Sequence, residues 1–311
     1  MISKDVNHEL TRGFIKTRSE PLYESRSILL HDKFGAINMS ELLESFSKHF
    51  NVTLVNKDDR DLMAKSLRLR YQVYCKENAF EKTEDTSVEL ESDEFDEHSA
   101  HSLLFSRRTG SVVGTVRLIL SNPDQPDALF PIEQQCGRYF DNTKYDIGGL
   151  PRSSLAEISR FAISKEFKKR LMEDMHTWGA GLLTTEQAKN IAEMERRIIP
   201  HITLGLFAAI VQMSAKHGIT HWYAVMEPAL RRLLKRFSIN FTTIGPMIDY
   251  HGKRQPCVAA VGEVLAEMEA NCPDVWNLIT DNGEIWPSAA KTAVSEQKIG
   301  DHLAPHIKKV A

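Results

Sequence analysis

The sequence has few cysteines and no excess of charge of either sign. Its 311 residues include 4 cysteines, which form no C-x-x-C pair and no spacing typical of metal ligands. This scarcity argues against a disulfide framework or a zinc site and indicates reduced thiols. The 39 Lys and Arg residues are balanced by 42 Asp and Glu, which gives a formal net charge of −3. A nucleic-acid-binding function is therefore not indicated.

Apolar segments of the kind that direct a protein to a membrane are also missing from the sequence pattern. The stretch from Met1 to Tyr23 is polar and has no apolar core, so no signal peptide is expected. No apolar run is expected to approach the ~20 residues that a membrane span needs. Together with the reduced thiols, these absences predict a cytoplasmic protein without a membrane span.

Hydrophobic periodicity divides the chain into three parts. Residues 1–37 lack sustained periodicity and are predicted to be a flexible N-terminal arm. Residues 38–264 contain the predicted helices and strands and are expected to form one domain, with a charged helical insertion at about 165–200. Residues 265–311 are predicted to be a C-terminal extension. The order of helix, hairpin, central strand, helix, strand, helix and strand pair predicts an α/β sandwich.

The central strand is Leu155-Ala-Glu-Ile-Ser-Arg-Phe-Ala-Ile-Ser164. Because side chains alternate along a strand, Glu157, Ser159 and Phe161 are predicted on one face and Arg160 on the other. Charges inside an apolar strand are costly unless they are paired. Two interpretations stay open, a buried ion-pair network without chemistry and a reactive pocket, and the rest of the sequence favours the pocket.

A predicted helix from Asp58 to Lys76 precedes the central strand and carries charged and aromatic side chains among its apolar ones. Arg70 and Tyr74 lie within it, and Phe80 follows in a polar loop. The helix therefore offers a cationic and an aromatic group to whatever packs against it.

An acidic run covers residues 81–98. Its first half is interpreted as a solvated segment. Asp93 and Asp96 differ, because they lead directly into a strand and can bind arginines from neighbouring elements. Arg117, amid apolar strand residues, requires a carboxylate partner. Gly114 in the same strand predicts a bulge or a close approach of the backbone.

Two further segments are candidates for binding an anionic or acidic ligand. A helix is predicted to begin at Ile202, with Thr203 as a possible cap and Gly205 giving close backbone access, and its N-terminus could hold a phosphate. A second helix has a basic face, which is either simply solvated or a docking surface for an acidic partner. The basic residues are Arg231, Arg232, Lys235 and Arg236.

The order of these motifs resembles the acyl-homoserine-lactone (autoinducer) synthases of the GNAT superfamily. It resembles still more closely the N-acyl amino acid synthases and the acyltransferases associated with the PEP-CTERM/exosortase system. The motifs are Arg70 with Tyr74, Asp93 with Asp96, Arg117-Leu118, and Glu157-Ile-Ser159-Arg160-Phe161. The resemblance implies a GNAT-like α/β/α sandwich with a mixed, mostly antiparallel sheet, and acyltransferase activity.

The resemblance also implies roles for individual residues. Glu157 would help, through water, to remove a proton from the attacking amine, because only a neutral amine attacks an acyl carbonyl. Ser159 would orient the substrate or the water, and Arg160 would act as an anchor. The substrate pocket would comprise Arg70, Tyr74, Phe80, Asp93, Asp96, Arg117, Arg160 and Phe161. The acyl donor would contact Thr203, Gly205, Arg231, Arg232, Lys235 and Arg236.

Two departures from the family pattern shape the predicted function. Phe80 stands where autoinducer synthases usually have Trp, which puts S-adenosylmethionine in doubt as the amine donor. The glycine-rich Q/R-x-x-G-x-G/A loop is absent after the central strand, which favours acyl carrier protein over acyl-CoA as the donor.

The sequence thus predicts transfer of a fatty acyl group from acyl carrier protein or acyl-CoA to the amine of a small substrate, an amino acid. No metal and no tightly bound cofactor are expected. The alternatives are an acyl-homoserine-lactone synthase that uses S-adenosylmethionine, and a non-catalytic module that binds the acyl carrier.

Overall fold

A computed structural model describes residues 46, 48–81, 88–167 and 185–288, and it describes the side chains of the last range from residue 198 onward. The predicted N-terminal arm, much of the predicted helical insertion and the end of the predicted C-terminal extension lie outside the described residues.

The core is an eight-stranded sheet with the order β1-β2-β3-β4-β5-β8-β6, and β7 pairs with β8. The strands are β1 (Phe50–Val55), β2 (Ser99–Ser106), β3 (Val112–Leu120), β4 (Leu155–Ile163), β5 (His221–Met226), β6 (Thr242–Thr243), β7 (Ile248–Asp249) and β8 (Lys253–Ala260). Strands β4 and β5 are parallel, and the other neighbours are antiparallel. The predicted mixed, mostly antiparallel sheet is confirmed.

Helices cover both faces of this sheet. They are α1 (Arg60–Arg70), α2 (Pro131–Cys136), α3 (Thr185–His217), α4 (Pro228–Lys235), α5 (Val261–Asn271) and α6 (Pro273–Thr280). On one face, Ser66 of α1 and Thr115 of β3 share a buried hydrogen bond of 2.9 Å between their hydroxyls. On the other face, Phe207 of α3 packs edge-on against Trp222 of β5. The predicted α/β sandwich is therefore confirmed.

The predicted hairpin of β2 and β3 and its irregularity are also present. Gly110 in the turn has a φ of +66°. Gly114 lies opposite Leu104, where the register between the strands shifts. A Cβ at Gly114 would lie 3.1 Å from the carbonyl oxygen of Ala162. Glycine is needed at this position because the neighbouring strand approaches too closely for a side chain.

The predicted start of a helix at Ile202 is wrong. Helix α3 runs without interruption from Thr185 to His217 and contains Pro200. Thr203 and Gly205 therefore lie in a helix interior, where backbone N–H groups bond within the helix. A Cβ at Gly205 would lie 2.7 Å from Cε2 of Phe46, so this glycine serves helix packing. The predicted phosphate site at this point does not exist.

The same helix corrects the expectation about apolar runs. The segment Ile198–His217 has 20 residues and is long and apolar enough, by length and composition, to cross a membrane. However, 72 % of its most apolar window is buried inside the protein. That burial is the behaviour of a helix in the core of a domain.

The predicted boundary between residues 264 and 265 falls inside a helix. Helix α5 (Val261–Asn271) continues directly from β8, and α6 follows it. Val275 and Ile279 of α6 are fully buried, so this part of the predicted extension adds to the core. The three-part division of the chain itself stays a prediction.

Candidate active site

The sheet opens between its two parallel strands. Pairing of β4 with β5 begins at Leu155–His221 and ends at Ile158–Ala224. A cleft of about 260 Å³ lies there, with Ser159 and Arg160 on its β4 side. Because pairing between β4 and β5 stops at Ile158, the edge of β4 beyond it faces the cleft instead of β5.

The side chains around the cleft fall into an apolar and a polar group. Aromatic and aliphatic side chains from β4, α3, α4 and the segment before β6 form the apolar group: Phe161, Phe207, Leu230, Leu234 and Phe241. The rings of Phe161 and Phe207 have centroids 6.2 Å apart, and those of Phe207 and Phe241 are 6.4 Å apart. The polar group includes Tyr74, Asp93, Arg117, Glu157, Ser159, Arg160, Tyr250, His251 and Arg254.

A β-bulge in β4 places Arg160 and Phe161 on faces that differ from those predicted. The pairs between β3 and β4 skip both residues, and Arg160 has a φ of +50°. The bulge turns Arg160 to the side of Ser159: Ser159 accepts a hydrogen bond from Arg117, and Arg160 donates to Asp93, which Arg117 also binds. It turns Phe161 toward α3 instead of the Glu157 side. Strict alternation fails because a bulge sets two residues against one.

Three arginines and four carboxylates form a buried cluster beside the cleft, here called the arginine cluster (Arg70, Arg117, Arg160, Glu81, Glu91, Asp93 and Asp96). Arg70 donates from Nε to Glu91 at 2.5 Å, and from Nη1 and Nη2 to Asp96 at 2.6 and 3.1 Å. Arg117 donates to both carboxylate oxygens of Asp93, at 2.5 and 2.9 Å, and to Asp96 at 2.6 Å. Such forked pairs fix orientation as well as charge.

Arg160 completes the arginine cluster. Its Nη2 donates to Glu91 at 2.8 Å and to both Glu81 and Asp93 at 3.1 Å. Its guanidinium lies 5.1 Å from the ring centroid of Tyr74. Burial alone would raise the pKa of Glu91, but hydrogen bonds and charges from Arg70 and Arg160 lower it to about 2. Glu91 is therefore held as a carboxylate.

The sequence predicted some of these contacts and missed others. Arg70, Asp93, Asp96 and Arg117 come together as expected, whereas the roles of Glu81 and Glu91 were not foreseen. Glu91 is 3 % exposed and lies in the second half of the acidic run, where only Asp93 and Asp96 were predicted to bind arginines. Charge balance could have revealed these two residues, since three buried arginines need more than two carboxylates.

Glu157 is a buried carboxyl in a very different setting. It is 5 % exposed, and its Oε2 accepts the backbone N–H of Ile132 at the start of α2 at 2.8 Å. Within the part of the chain that the structure describes, no lysine or arginine forms an ion pair with it. Burial raises the pKa of Glu157 to about 8, against smaller opposing effects of the Ile132 N–H and Arg117. Such a group can exchange a proton near neutral pH.

Ser159 is hydrogen-bonded to the arginine cluster. Its Oγ accepts a hydrogen bond of 3.2 Å from Nη2 of Arg117. Ser159 also lines the cleft, so its hydroxyl can donate to a ligand bound there. Ser159 lies two residues after Glu157, on the same face of β4.

Helix α2, which supplies the N–H to Glu157, is fixed by a second carboxylate. Glu133 accepts from the backbone N–H of Phe130 at 2.9 Å, from Arg152 at 2.6 Å and from the hydroxyl of Tyr223 at 3.3 Å. These residues were missed in the sequence. A glutamate three residues after Phe130, with Pro131 between them, was the available signal for a helix start.

Phe80 belongs to an aromatic layer over the polar group of the cleft. Its ring centroid lies 5.3 Å from that of His251 and 6.4 Å from that of Tyr74. His251 occupies the turn between β7 and β8 with a φ of +52°, next to Gly252 with +96°. This turn brings Tyr250 and His251, neither foreseen in the sequence, to the cleft.

The residues predicted to bind the acyl donor do not come together. Thr203 and Gly205 are absent from the cleft lining, and Thr203 is 1 % exposed. The basic residues follow one side of α4. Arg232 and Lys235 are exposed, whereas Arg231 and Arg236 are half-buried, and Arg231 donates to Gln255. The basic face stays a predicted docking surface.

Within the described ranges, no group of three or more His, Cys, Asp or Glu residues could hold a metal ion. The buried carboxylates that might suggest one are bound by arginines instead.

Residues 69–178 match the family model Acetyltransf_5, described as an acetyltransferase (GNAT) domain. The fold is GNAT-like. This GNAT segment contains the arginine cluster together with Glu157 and Ser159, and therefore supplies most of the polar group of the cleft. No curated protein sequence matches the chain.

Several solved structures are similar to this GNAT-like chain at low identity. The AHL synthase LasI is 16% identical, with a TM-score of 0.45, over 68% of this chain and 89% of its own. FeeM, an N-acyl amino acid synthase from uncultured soil microbes, is 14% identical, with a TM-score of 0.43, over 71% and 95%. The CoA-dependent acyl-homoserine lactone synthase MesI is 18% identical, with a TM-score of 0.45, over 74% and 94%.

Proposed function

We propose that this protein is a cytoplasmic N-acyltransferase that moves a fatty acyl group from acyl carrier protein or acyl-CoA to the amine of an amino acid. The observation that carries the proposal is Glu157, an unpaired carboxyl with its pKa raised to about 8, which lines the cleft between β4 and β5. The proposed activity is of the kind found in N-acyl amino acid synthases and exosortase-associated acyltransferases.

In the proposed reaction, the amine nitrogen attacks the thioester carbonyl. A C–N bond forms, the C–S bond breaks, and the thiol of the carrier leaves with a proton. The ionised form of Glu157 takes the amine proton through a water, which its raised pKa favours because the acceptor then matches the working pH. Ser159, held by Arg117, orients that water or the substrate.

The developing oxyanion would be stabilised by backbone N–H groups of β4 beside the cleft. Pairing with β5 ends at Ile158, so the backbone of β4 beyond it borders the cleft. Fixed N–H dipoles in a cavity that excludes water stabilise such a charge strongly.

The apolar group of the cleft supports a fatty acyl chain over a short one. Phe161, Phe207 and Phe241 stand in mutual contact, and Leu230 and Leu234 of α4 line the same cleft. Each methylene that leaves water for such surroundings contributes about 0.8 kcal/mol. The basic residues of α4 could then receive the acidic surface of a carrier protein close to where the chain enters.

The test is mass spectrometry of organic extracts from cells that express the protein, with Glu157→Gln as the matched variant. We expect a new N-acyl amino acid that is lost in the variant. An acyl-homoserine lactone in its place would contradict the proposed acceptor.

The same strains decide between an enzyme and a binding module. If no new lipid forms, while the purified protein binds acyl carrier protein equally well with and without Glu157→Gln, the protein is a binding module and the proposal fails.

A further inference from the structure

Arg254 of β8 differs from the other arginines at the cleft. Its Nη2 makes one long hydrogen bond of 3.3 Å to Glu227, whose side chain is 54% exposed. Among the described residues, its Nε has no hydrogen-bond partner. A guanidinium with so few acceptors in the protein can donate to a further anion.

The arginine cluster shows what a complete set of partners looks like. Arg70 and Arg160 each bind two or more carboxylates, and both Nη atoms of Arg117 are engaged. The Nε of Arg117 also lacks a partner among the described residues, but the Nη atoms of Arg117 are held by Asp93, Asp96 and Ser159. Of the described arginines that line the cleft, Arg254 is the one whose carboxylate contact is a single long hydrogen bond to an exposed side chain, so its guanidinium is the least committed to partners in the protein.

Arg254 and the reactive carboxyl of Glu157 line the same cleft. Its guanidinium lies 5.6 Å from the ring centroid of Phe80. Burial raises the pKa of Tyr250, and the charges of Glu157 and Arg254 act on the same hydroxyl with smaller, opposite effects. All of these residues except Phe80 line the cleft itself.

We propose that Arg254 binds the carboxylate of the acceptor, so that the enzyme selects α-amino acids over neutral amines. The acceptor's amine then points toward Glu157, its carboxylate accepts hydrogen bonds from the guanidinium, and Tyr250 lies beside its side chain. Carboxylate and guanidinium form charge-assisted hydrogen bonds of matched geometry. The inference rests on the proposed function and assigns the residue that selects its acceptor.

The kinetic test uses the full-length protein, a mixture of saturated acyl thioesters on carrier protein and CoA, and two acceptor pools. One pool holds the proteinogenic L-amino acids, and the other holds the same compounds as C-terminal amides. We expect the wild type to prefer the acids at least about tenfold, since a charge-assisted hydrogen bond has that weight. Arg254→Gln should bring the preference close to one and raise the acceptor KM about tenfold to a hundredfold.

The matched control is Lys253→Gln, which removes the same charge from the next residue, whose side chain is 74% exposed. It should change neither the preference nor any KM. The inference is overturned if Arg254→Gln keeps the preference for acids. It is also overturned if Arg254→Gln raises only the KM of the acyl donor, because the anion at Arg254 would then be a donor phosphate.

A binding arm separates this inference from the proposed function. The thermal unfolding midpoint of the full chain is measured with each pool at increasing concentration. If the amino acids raise the midpoint and the amides do not, and if Arg254→Gln removes this rise, the carboxylate site is supported even if the wild type forms no product. Product formation without any preference for acids would leave the acyltransferase standing and remove the role of Arg254.

Discussion

Glu91 and Glu157 are both buried glutamates near the same cleft, and their surroundings give them opposite properties. Two arginines bind Glu91 and lower its pKa to about 2, whereas Glu157 accepts one backbone N–H and has a pKa raised to about 8. Burial opposes ionisation at both positions, so the difference comes from the cations. A buried carboxylate with arginine partners builds the pocket, and one without them is available for proton transfer.

The largest expected effect is on catalysis by Glu157→Gln. The amide oxygen can still accept the N–H of Ile132, so the fold should persist while proton transfer stops. We expect turnover to fall by about 10²- to 10⁴-fold, the usual weight of a general base. The measurement is the initial rate by mass spectrometry, with the exposed Glu263→Gln as control. A loss below tenfold would show that Glu157 does not carry the proton.

The next largest effect is a loss of stability when Glu91 is replaced. Glu91→Ala leaves Arg70 and Arg160 buried with fewer partners. Breaking a buried pair in this way costs about 3–5 kcal/mol. Denaturant unfolding measures the change, and the exposed Glu89→Ala should have a far smaller effect. Equal losses for the two variants would mean that the arginine cluster does not hold the pocket together.

The pH dependence of the rate sharpens the comparison further. Because the ionised form of Glu157 is the active one, kcat/KM should rise about tenfold per pH unit below a pKa of about 8 and level off above it. Glu91→Gln should show the same rise of kcat/KM with pH, since Glu91 is ionised over the whole pH range in which the rate changes. A pH profile that is unchanged in Glu157→Gln would assign the rise to another group.

Stability should respond to pH in opposite directions at the two sites. Glu157 binds its proton more tightly folded than unfolded, so its contribution to the free energy of unfolding declines as pH rises from about 4.5 to about 8. Glu91 binds its proton less tightly folded, so its contribution is lost as pH falls from about 4.5 to about 2. The free energy of unfolding is measured across pH for the wild type and for each Gln variant, and the difference gives the pH dependence that each glutamate contributes. Contributions that change with pH in the same direction would contradict the opposite pKa shifts of the two glutamates.

The smallest effect on stability is expected at Asp93, which belongs to the arginine cluster and also lines the cleft. Its side chain is 25% exposed, binds Arg117 and Arg160 and lines the cleft. Asp93→Asn keeps the shape and removes the charge, so we expect a loss of about 1–3 kcal/mol in stability. A rise in the acceptor KM without a change in donor KM should accompany it. If Asp93→Asn lost as much stability as Glu91→Ala, the partial exposure of Asp93 would not weaken its ion pairs with Arg117 and Arg160.

The sequence was informative where local pattern and packing agree. The strand content around Glu157 predicted β4, and a glycine inside an apolar strand predicted the irregularity at Gly114. The motif order predicted the GNAT-like sandwich and the meeting of Arg70, Asp93, Asp96 and Arg117.

It was uninformative where tertiary contacts override local signals. Pro200 suggested a helix boundary, yet α3 continues through it because its apolar residues are buried along the sheet. Glu91 lies in an acidic run, and only the distant Arg70 and Arg160 explain its burial. The neighbours of Arg254 in the sequence do not predict a role for it, because the fold of β8 is what brings its side chain to the cleft.

The bulge at Arg160 shifts the alternation of side chains between the two faces of β4 by one residue. Up to Ser159, odd-numbered side chains of β4 face the arginine cluster, whereas from Arg160 onward the even-numbered ones do, and Ala162 packs with Leu69 and Tyr74. Any alignment that places a gap near this point exchanges inside for outside over the rest of the strand. The number of residues between Glu157 and Ala162 is thus as much a part of the site as their identities.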